Sequence, residues 1–192
     1  MTRYVMVIDQ RRCIGCHSCT VACRTWNKLP LDIVYNPVVT EGAQGTWPNV
    51  HKSWQPLLCM HCENPECVPC CPSGASQQDE DGTVWVDPKK CLSCKVCVNA
   101  CPYGMRDASK LEDRMHRFVR KCTFCRDKRQ LDPSAQPYCV LTCHQKARIF
   151  GDLDDPNSEV SKLIGSVKTE RLFEEFGTEP QIYYIPDLGG KA

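Results

Sequence analysis

No run of apolar residues in this chain approaches the roughly eighteen that a membrane-crossing helix needs, so it is expected to have no span of its own. Aromatic residues are sparse, at 8% of 192 positions, which leaves little material for a large core. Neither sign of charge dominates: 24 Lys and Arg face 23 Asp and Glu, for a formal net of +1. That balance speaks against the basic stripe of a nucleic-acid reader. A phosphate-cradling glycine loop, a dinucleotide fingerprint and a Ser-His-Asp signature are all missing. His51, His116 and His144 have no clip spacing with one another, which disfavours a histidine metal site or haem ligation. The start, Met1 to Asp9, runs directly into a cysteine motif, so neither a signal peptide nor an anchor is expected there.

Cysteine is abundant instead, with 17 residues against 14 prolines and 11 glycines. Sixteen of the cysteines fall into four groups of four. Motif I is Cys13-x2-Cys16-x2-Cys19-x3-Cys23, and motif III repeats it as Cys91-x2-Cys94-x2-Cys97-x3-Cys101 before Pro102. Motif II stretches one gap, Cys59-x2-Cys62-x4-Cys67-x3-Cys71, and motif IV stretches it further, Cys122-x2-Cys125-x13-Cys139-x3-Cys143. This is the bacterial ferredoxin run, in which three cysteines on a tight loop hold one cubane and the fourth ligates its neighbour. Motifs of this kind work in pairs, and four make two pairs. Thiolates also suit zinc, but structural zinc sites use distant Cys-x2-Cys clips and need no third thiolate on the loop. A disulfide framework is disfavoured by the crowding within each clip. Metal binding would supply much of the folding free energy of so loop-rich a chain, and an unstable apo form is expected. Four clusters of about −2 each would bring the net charge to roughly −7, further against a nucleic-acid role.

The chain repeats internally. Val7-Ile8-Asp9 before Cys13 aligns with Trp85-Val86-Asp87 before Cys91, each a short strand ending in Asp four residues ahead of the first cysteine. Asp79-Glu80-Asp81-Gly82 reads as a turn leading into a strand at Thr83–Val86, and Ala147–Asp152 reads as the strand that follows motif IV. Residues 27–55 read as a long ordered insertion between the first two motifs. Asp107 to Arg120, with Lys110, Arg114, Arg117 and Arg120, reads as a solvated helix face or a hairpin in preference to a docking patch. Asn157 or Ser158 is expected to cap a helix through about Val167. The apolar tail Pro180 to Pro186 either packs back on its own module or lies against a partner, and the partner is the favoured reading.

The motif order, the repeat, the start Tyr4 to Asp9 and the run Cys62-Glu63-Asn64-Pro65-x-Cys67 with Cys71-Pro72-Ser73-Gly74-Ala75 resemble the iron-sulfur subunits of the DMSO reductase family of molybdenum enzymes. The resemblance covers nearly the whole chain. It implies an α+β fold of two ferredoxin-like modules, loop-rich, with insertions and an extended C-terminal tail. Residues 1–26 and 118–156 would form one module and 56–117 the other, with 27–55 as the insertion and 157–192 as a C-terminal helix and tail. It further implies four [4Fe-4S] clusters. Cluster 1 would take Cys13, Cys16, Cys19 and Cys143; cluster 2, Cys122, Cys125, Cys139 and Cys23; cluster 3, Cys59, Cys62, Cys67 and Cys101; cluster 4, Cys91, Cys94, Cys97 and Cys71. Motif III keeps cysteine throughout, unlike family members with a 3Fe-4S centre. His144 follows Cys143 where the family more often has proline, so the helix exit there is expected to differ. Cys70 is read as a buried thiol and Cys71, with the x3 spacing and Pro72 after it, as the ligand.

The implied function is non-catalytic relay of single electrons. The implied partners are a large molybdenum or tungsten bis-pterin guanine dinucleotide catalytic subunit at the motif I cluster and an integral membrane quinone-binding subunit at the motif III cluster. The chain would then be membrane-associated through its partner on the extracytoplasmic face, by co-export, with the cytoplasm as the alternative. A free-standing polyferredoxin and the small subunit of a soluble transhydroxylase-like molybdenum enzyme stand as alternatives. His17 is read as an exposed loop residue, and His61 as either exposed or a hydrogen-bond donor to a cluster; Lys95 and Arg24 are candidate charge partners.

Overall fold

Tyr4–Asp9, with the continuous apolar run Val5 to Ile8, forms strand β1 at the centre of the largest sheet. The computed structural model describes residues 2–40, 42–109 and 117–187. After β1 come helix α1 (Ser18–Asn27) and four short strands, β2 (Val38–Thr40), β3 (Gln44–Thr46), β4 (Asn49–His51) and β5 (Trp54–Pro56). The hairpin β6 (Ser76–Gln78) and β7 (Val84–Val86) precedes three short helices, α2 (Val96–Asn99), α3 (Arg126–Leu131) and α4 (Tyr138–Leu141). Strand β8 (Arg148–Asp152), helix α5 (Glu159–Ser166) and strand β9 (Ile182–Ile185) complete the order.

Side chains alternate along a strand, so β1 serves two cores. Met6 and Ile8 point with Phe150, Ile182 and Tyr184 toward Leu58, Met60, Phe124 and the cysteine loops. Val5 and Val7 point the other way, with Ile149 and Ile185, against Val160 of α5. One face of the sheet is therefore covered by a helix and the other by the loops that carry the cysteines. β8 pairs antiparallel with β1 from Tyr4↔Asp152 to Ile8↔Arg148. The Ser158 hydroxyl accepts the Ser161 N–H and caps α5, which ends before Val167 as expected.

The tail reading needs correction. Residues Ile182–Ile185 pair parallel with β1, Met6↔Ile182 to Asp9↔Ile185, and Ile182, Tyr184 and Ile185 are buried. The segment packs back into its own chain, because β1 offers a second unpaired edge that three apolar side chains can cover. In the charged stretch, the Asp107 and Arg120 backbones bond to each other in both directions at 2.8 Å, an isolated antiparallel bridge. Lys110, Arg114 and His116 lie outside the described residues. The 27–55 insertion is built from two ladders, β2 with β5 and β3 with β4. Among the described residues, no helix is long and apolar enough to cross a membrane.

Two hydrogen bonds show how the cysteine motifs meet. The Asp9 N–H donates to Ala147 O, and the Asp87 N–H to Ala75 O, both at 2.8 Å. Asp9 and Asp87 each stand four residues before a motif, and Ala147 and Ala75 each stand four after one. The chain thus brings motif I against motif IV, and motif III against motif II, by the same contact.

Candidate functional site

The residue before the second cysteine is left-handed in all four motifs: Gly15 at φ +65°, His61 at +45°, Ser93 at +59° and Phe124 at +51°. For the three that are not glycine this costs about 1–2 kcal/mol each. Such strain is held at ligand clamps by the surrounding structure. The bend turns successive N–H groups inward, as in the backbone nests that bind anions and iron-sulfur centres. At this bend the Phe124 N–H reaches Cys122 Sγ at 3.4 Å, and beyond the last cysteine of motifs II and IV the Ser76 N–H reaches Cys71 Sγ at 3.4 Å and the Ala147 N–H reaches Cys143 Sγ at 3.2 Å. At Gly15 a side chain would also meet the Trp54 indole, with a Cβ only 2.2 Å from Nε1. The insertion therefore closes over the motif I loop.

The sulfurs gather across motifs. Cys13, Cys16, Cys19 and Cys143 line one recess. Cys71, Cys91, Cys94 and Cys97 line another. Burial drives the Cys62 thiol up to about 12, helped by its neighbours Cys59, Cys67 and Cys101. Burial likewise drives Cys23 to about 12, with Cys139 and Cys125 adding to the rise, and Cys122 well above the usual range beside Cys23 and Cys139. Ser18, through its hydroxyl and amide, holds the exposed Cys16 below the usual thiol value. Cys71 is also lowered: burial pushes it up, but the Ser76 amide and the Ser73 hydroxyl outweigh that. Cys70 is partly exposed rather than buried, as is its neighbour Cys71, and it lies near Cys97. Among the described residues, no three Cys, His, Asp or Glu side chains are gathered closely enough to hold a single ion.

His17 is exposed, and His61 is fully buried. The His61 Nδ1 accepts the Val84 N–H at 3.1 Å, and its ring stacks on Phe124 at 3.7 Å. Burial, with Lys121, Arg129 and Arg106 nearby, holds the imidazole neutral. The proton is therefore on Nε2, which is buried and has no protein partner. Because His61 and Phe124 hold the same place in motifs II and IV, their stack joins the two loops.

Of the charge partners read from sequence, Lys95 lines the motif III recess. Arg24 instead donates to Leu31 O at 2.7 Å. The buried cations beside sulfur are Arg106, which donates to Cys67 Sγ at 2.8 Å, and Arg148, which lines the motif I recess. Their signal in the sequence is an equal spacing, five residues past Cys101 and past Cys143. Soft sulfur donors in groups, amides turned onto sulfur and buried cations beside them together fit iron-sulfur clusters.

Known proteins agree with this chemistry. Residues 50–153 match the family described as a 4Fe-4S dicluster domain, and residues 4–25 a 4Fe-4S binding domain. The chain is 40% identical to the B subunit of the selenate reductase of Mesobacillus selenatarsenatis, over 95% of this chain and 72% of that protein. It is 39% identical to the B subunit of the sulfite dehydrogenase of Allochromatium vinosum, over 97% and 84%. It is 34% identical to the arsenate respiratory reductase iron-sulfur subunit of a Shewanella species, over 99% of both. The chain belongs to the iron-sulfur electron-transfer subunits of the DMSO reductase family of molybdenum enzymes.

Proposed function

We propose that this chain is a non-catalytic relay carrying four [4Fe-4S] clusters in two ferredoxin-like modules, between a molybdenum or tungsten pterin subunit and a quinone-reactive membrane subunit. The ligand sets are Cys13, Cys16, Cys19 and Cys143; Cys122, Cys125, Cys139 and Cys23; Cys59, Cys62, Cys67 and Cys101; and Cys91, Cys94, Cys97 and Cys71. The mirrored contacts Asp9 to Ala147 and Asp87 to Ala75 support the pairing of motif I with IV and of II with III. When bound, cubane clusters supply one-electron exchange between two oxidation states with little structural change. The chain's own residues hold the sulfurs, turn amides onto them and exclude water between the two ends.

The observation that carries the relay reading is the exposure pattern. Only Cys16 and Cys94 among the cysteines are exposed. Each stands in a loop with an exposed apolar neighbour, Ile14 at 52% and Leu92 at 69%. Motif I then offers one contact to a partner, and motif III the other. Docking on the extracytoplasmic face, by co-export with the catalytic subunit, accounts for membrane association in a chain whose described helices cannot span.

Anaerobic purification of the native complex tests this reading. About sixteen irons per chain, molybdenum or tungsten in stoichiometric amount and an embedded third subunit are expected; iron without a membrane subunit would favour a soluble complex instead. Leu92→Glu is expected to weaken binding of the membrane subunit at least tenfold, about 1.4 kcal/mol, while sparing the catalytic subunit, and Ile14→Glu to do the reverse; pull-down stoichiometry reads both. Gly15→Ala is expected to lower iron by about a quarter, since one of four clusters loses its loop geometry.

A further inference from the structure

Arg106 and Arg148 occupy the same place in two motifs, each the fifth residue after the last cysteine. Both are almost fully buried, at 5% and 3% exposure. Among the described residues, neither forms an ion pair with a carboxylate. Arg106 Nη2 donates to Cys67 Sγ at 2.8 Å and to Ser76 Oγ at 2.7 Å, and the Cys97 thiol also accepts from this guanidinium. Its Nη1 is buried with no partner. Arg148 donates to Asn36 Oδ1 at 2.6 Å, lies 3.6 Å from Met6 Sδ and is surrounded by the thiols of Cys139, Cys19 and Cys143.

A guanidinium does not give up its proton, so each of these residues is a permanent charge out of water. Such a charge is tolerated only beside an anion, and the groups positioned to be anionic are the sulfurs. In the proposed ligand sets, Arg106 stands between cluster 3, through Cys67 and Cys59, and cluster 4, through Cys97. Arg148 stands between cluster 1, through Cys19 and Cys143, and cluster 2, through Cys139.

We propose that Arg106 and Arg148 are internal counter-ions, each shared by the two clusters of one pair, and that they raise the reduction potentials of those clusters. Reduction adds negative charge, so a nearby permanent cation and N–H donors on sulfur favour the reduced form. Because both are buried, salt does not screen them as it screens a surface lysine. The inference rests on the four proposed ligand sets.

The test is EPR-monitored redox titration of the intact complex, purified anaerobically, at low and high ionic strength. Wild-type chain with about sixteen irons and four separable signals supports the ligand sets; fewer clusters would overturn that reading before any arginine is examined. With four clusters present, Arg106→Gln is expected to lower two of the four potentials by at least 59 mV, a tenfold change in the reduced to oxidised ratio for one electron. The other two stay in place, and the shift is the same at both salt concentrations. Arg148→Gln is expected to lower the complementary two. No shift, or an equal shift of all four, would overturn the proposal. Should Arg106→Gln not assemble its clusters, Arg106→Lys decides: it keeps the charge but lacks the fork that reaches two sulfurs. It is expected to lower one member of the pair and leave the other. Four unchanged potentials in Arg106→Lys would overturn the proposal.

Discussion

Deleting the chain from Thr178 onward is expected to abolish accumulation of a folded, iron-loaded protein. Ile182, Tyr184 and Ile185 fill both cores of the β1 sheet, and removing a buried side chain of that size costs roughly 2–5 kcal/mol. Three such losses reach the whole stability of an ordinary domain, about 5–15 kcal/mol. The same segment also holds the motif II loop. The Gln181 N–H donates to Met60 O at 2.8 Å, and the Glu63 and Asn64 N–H groups donate to Glu179 O at 2.9 Å and Thr178 O at 3.1 Å. The Tyr103 and Thr178 hydroxyls share a buried hydrogen bond of 2.6 Å. Iron content and resistance to protease read the outcome. A truncated chain that keeps its iron and resists cleavage, yet fails to bind a partner, would restore the tail as a docking arm.

Stripping the iron anaerobically with a chelator is expected to be equally destructive, giving a chain with no cooperative thermal transition. Cys19 and Cys139 are themselves members of the main core. Burial pushes Cys23 and Cys62 up to about 12 and Cys139 to about 11, so without metal these sulfurs are neutral thiols at physiological pH. The buried Arg106 and Arg148 then lose the negative charge beside them. An unpaired buried charge costs about 3–5 kcal/mol, and more than one would exceed what the thin apolar core supplies. Circular dichroism during a thermal ramp checks this, with recovery expected only on reconstitution with iron and sulfide. A sharp transition persisting in the stripped chain would show that the polypeptide is stable by itself.

What the sequence made legible was what chemistry imposes locally. Cysteine spacing identified the loops, the β-branched run identified β1, position after motif IV identified β8, Asp79 to Gly82 identified the turn before β7, and Ser158 identified the start of α5. The rest depended on contacts between distant residues. A four-residue apolar tail carries no mark of which edge it will join, so the parallel pairing of Ile182–Ile185 with β1 stayed hidden. Left-handed backbone is advertised by Gly15 but not by His61, Ser93 or Phe124, where the surroundings impose it. Adjacency to the cysteines points to Arg24 and Lys95 as charge partners. The buried guanidiniums beside sulfur stand five residues past Cys101 and Cys143, a spacing that does not by itself mark a charge partner.

The contrast between two surface cysteines and fifteen shielded or partly shielded ones also sets how the protein ages in air. Oxygen and peroxide are expected to reach Cys16 and Cys94 first, and oxidation there would remove a thiolate from each of two proposed ligand sets. In the assembled complex those two loops are the ones a partner would cover. The isolated subunit is therefore expected to corrode from both ends inward, while the same chain at work is sealed where it is weakest.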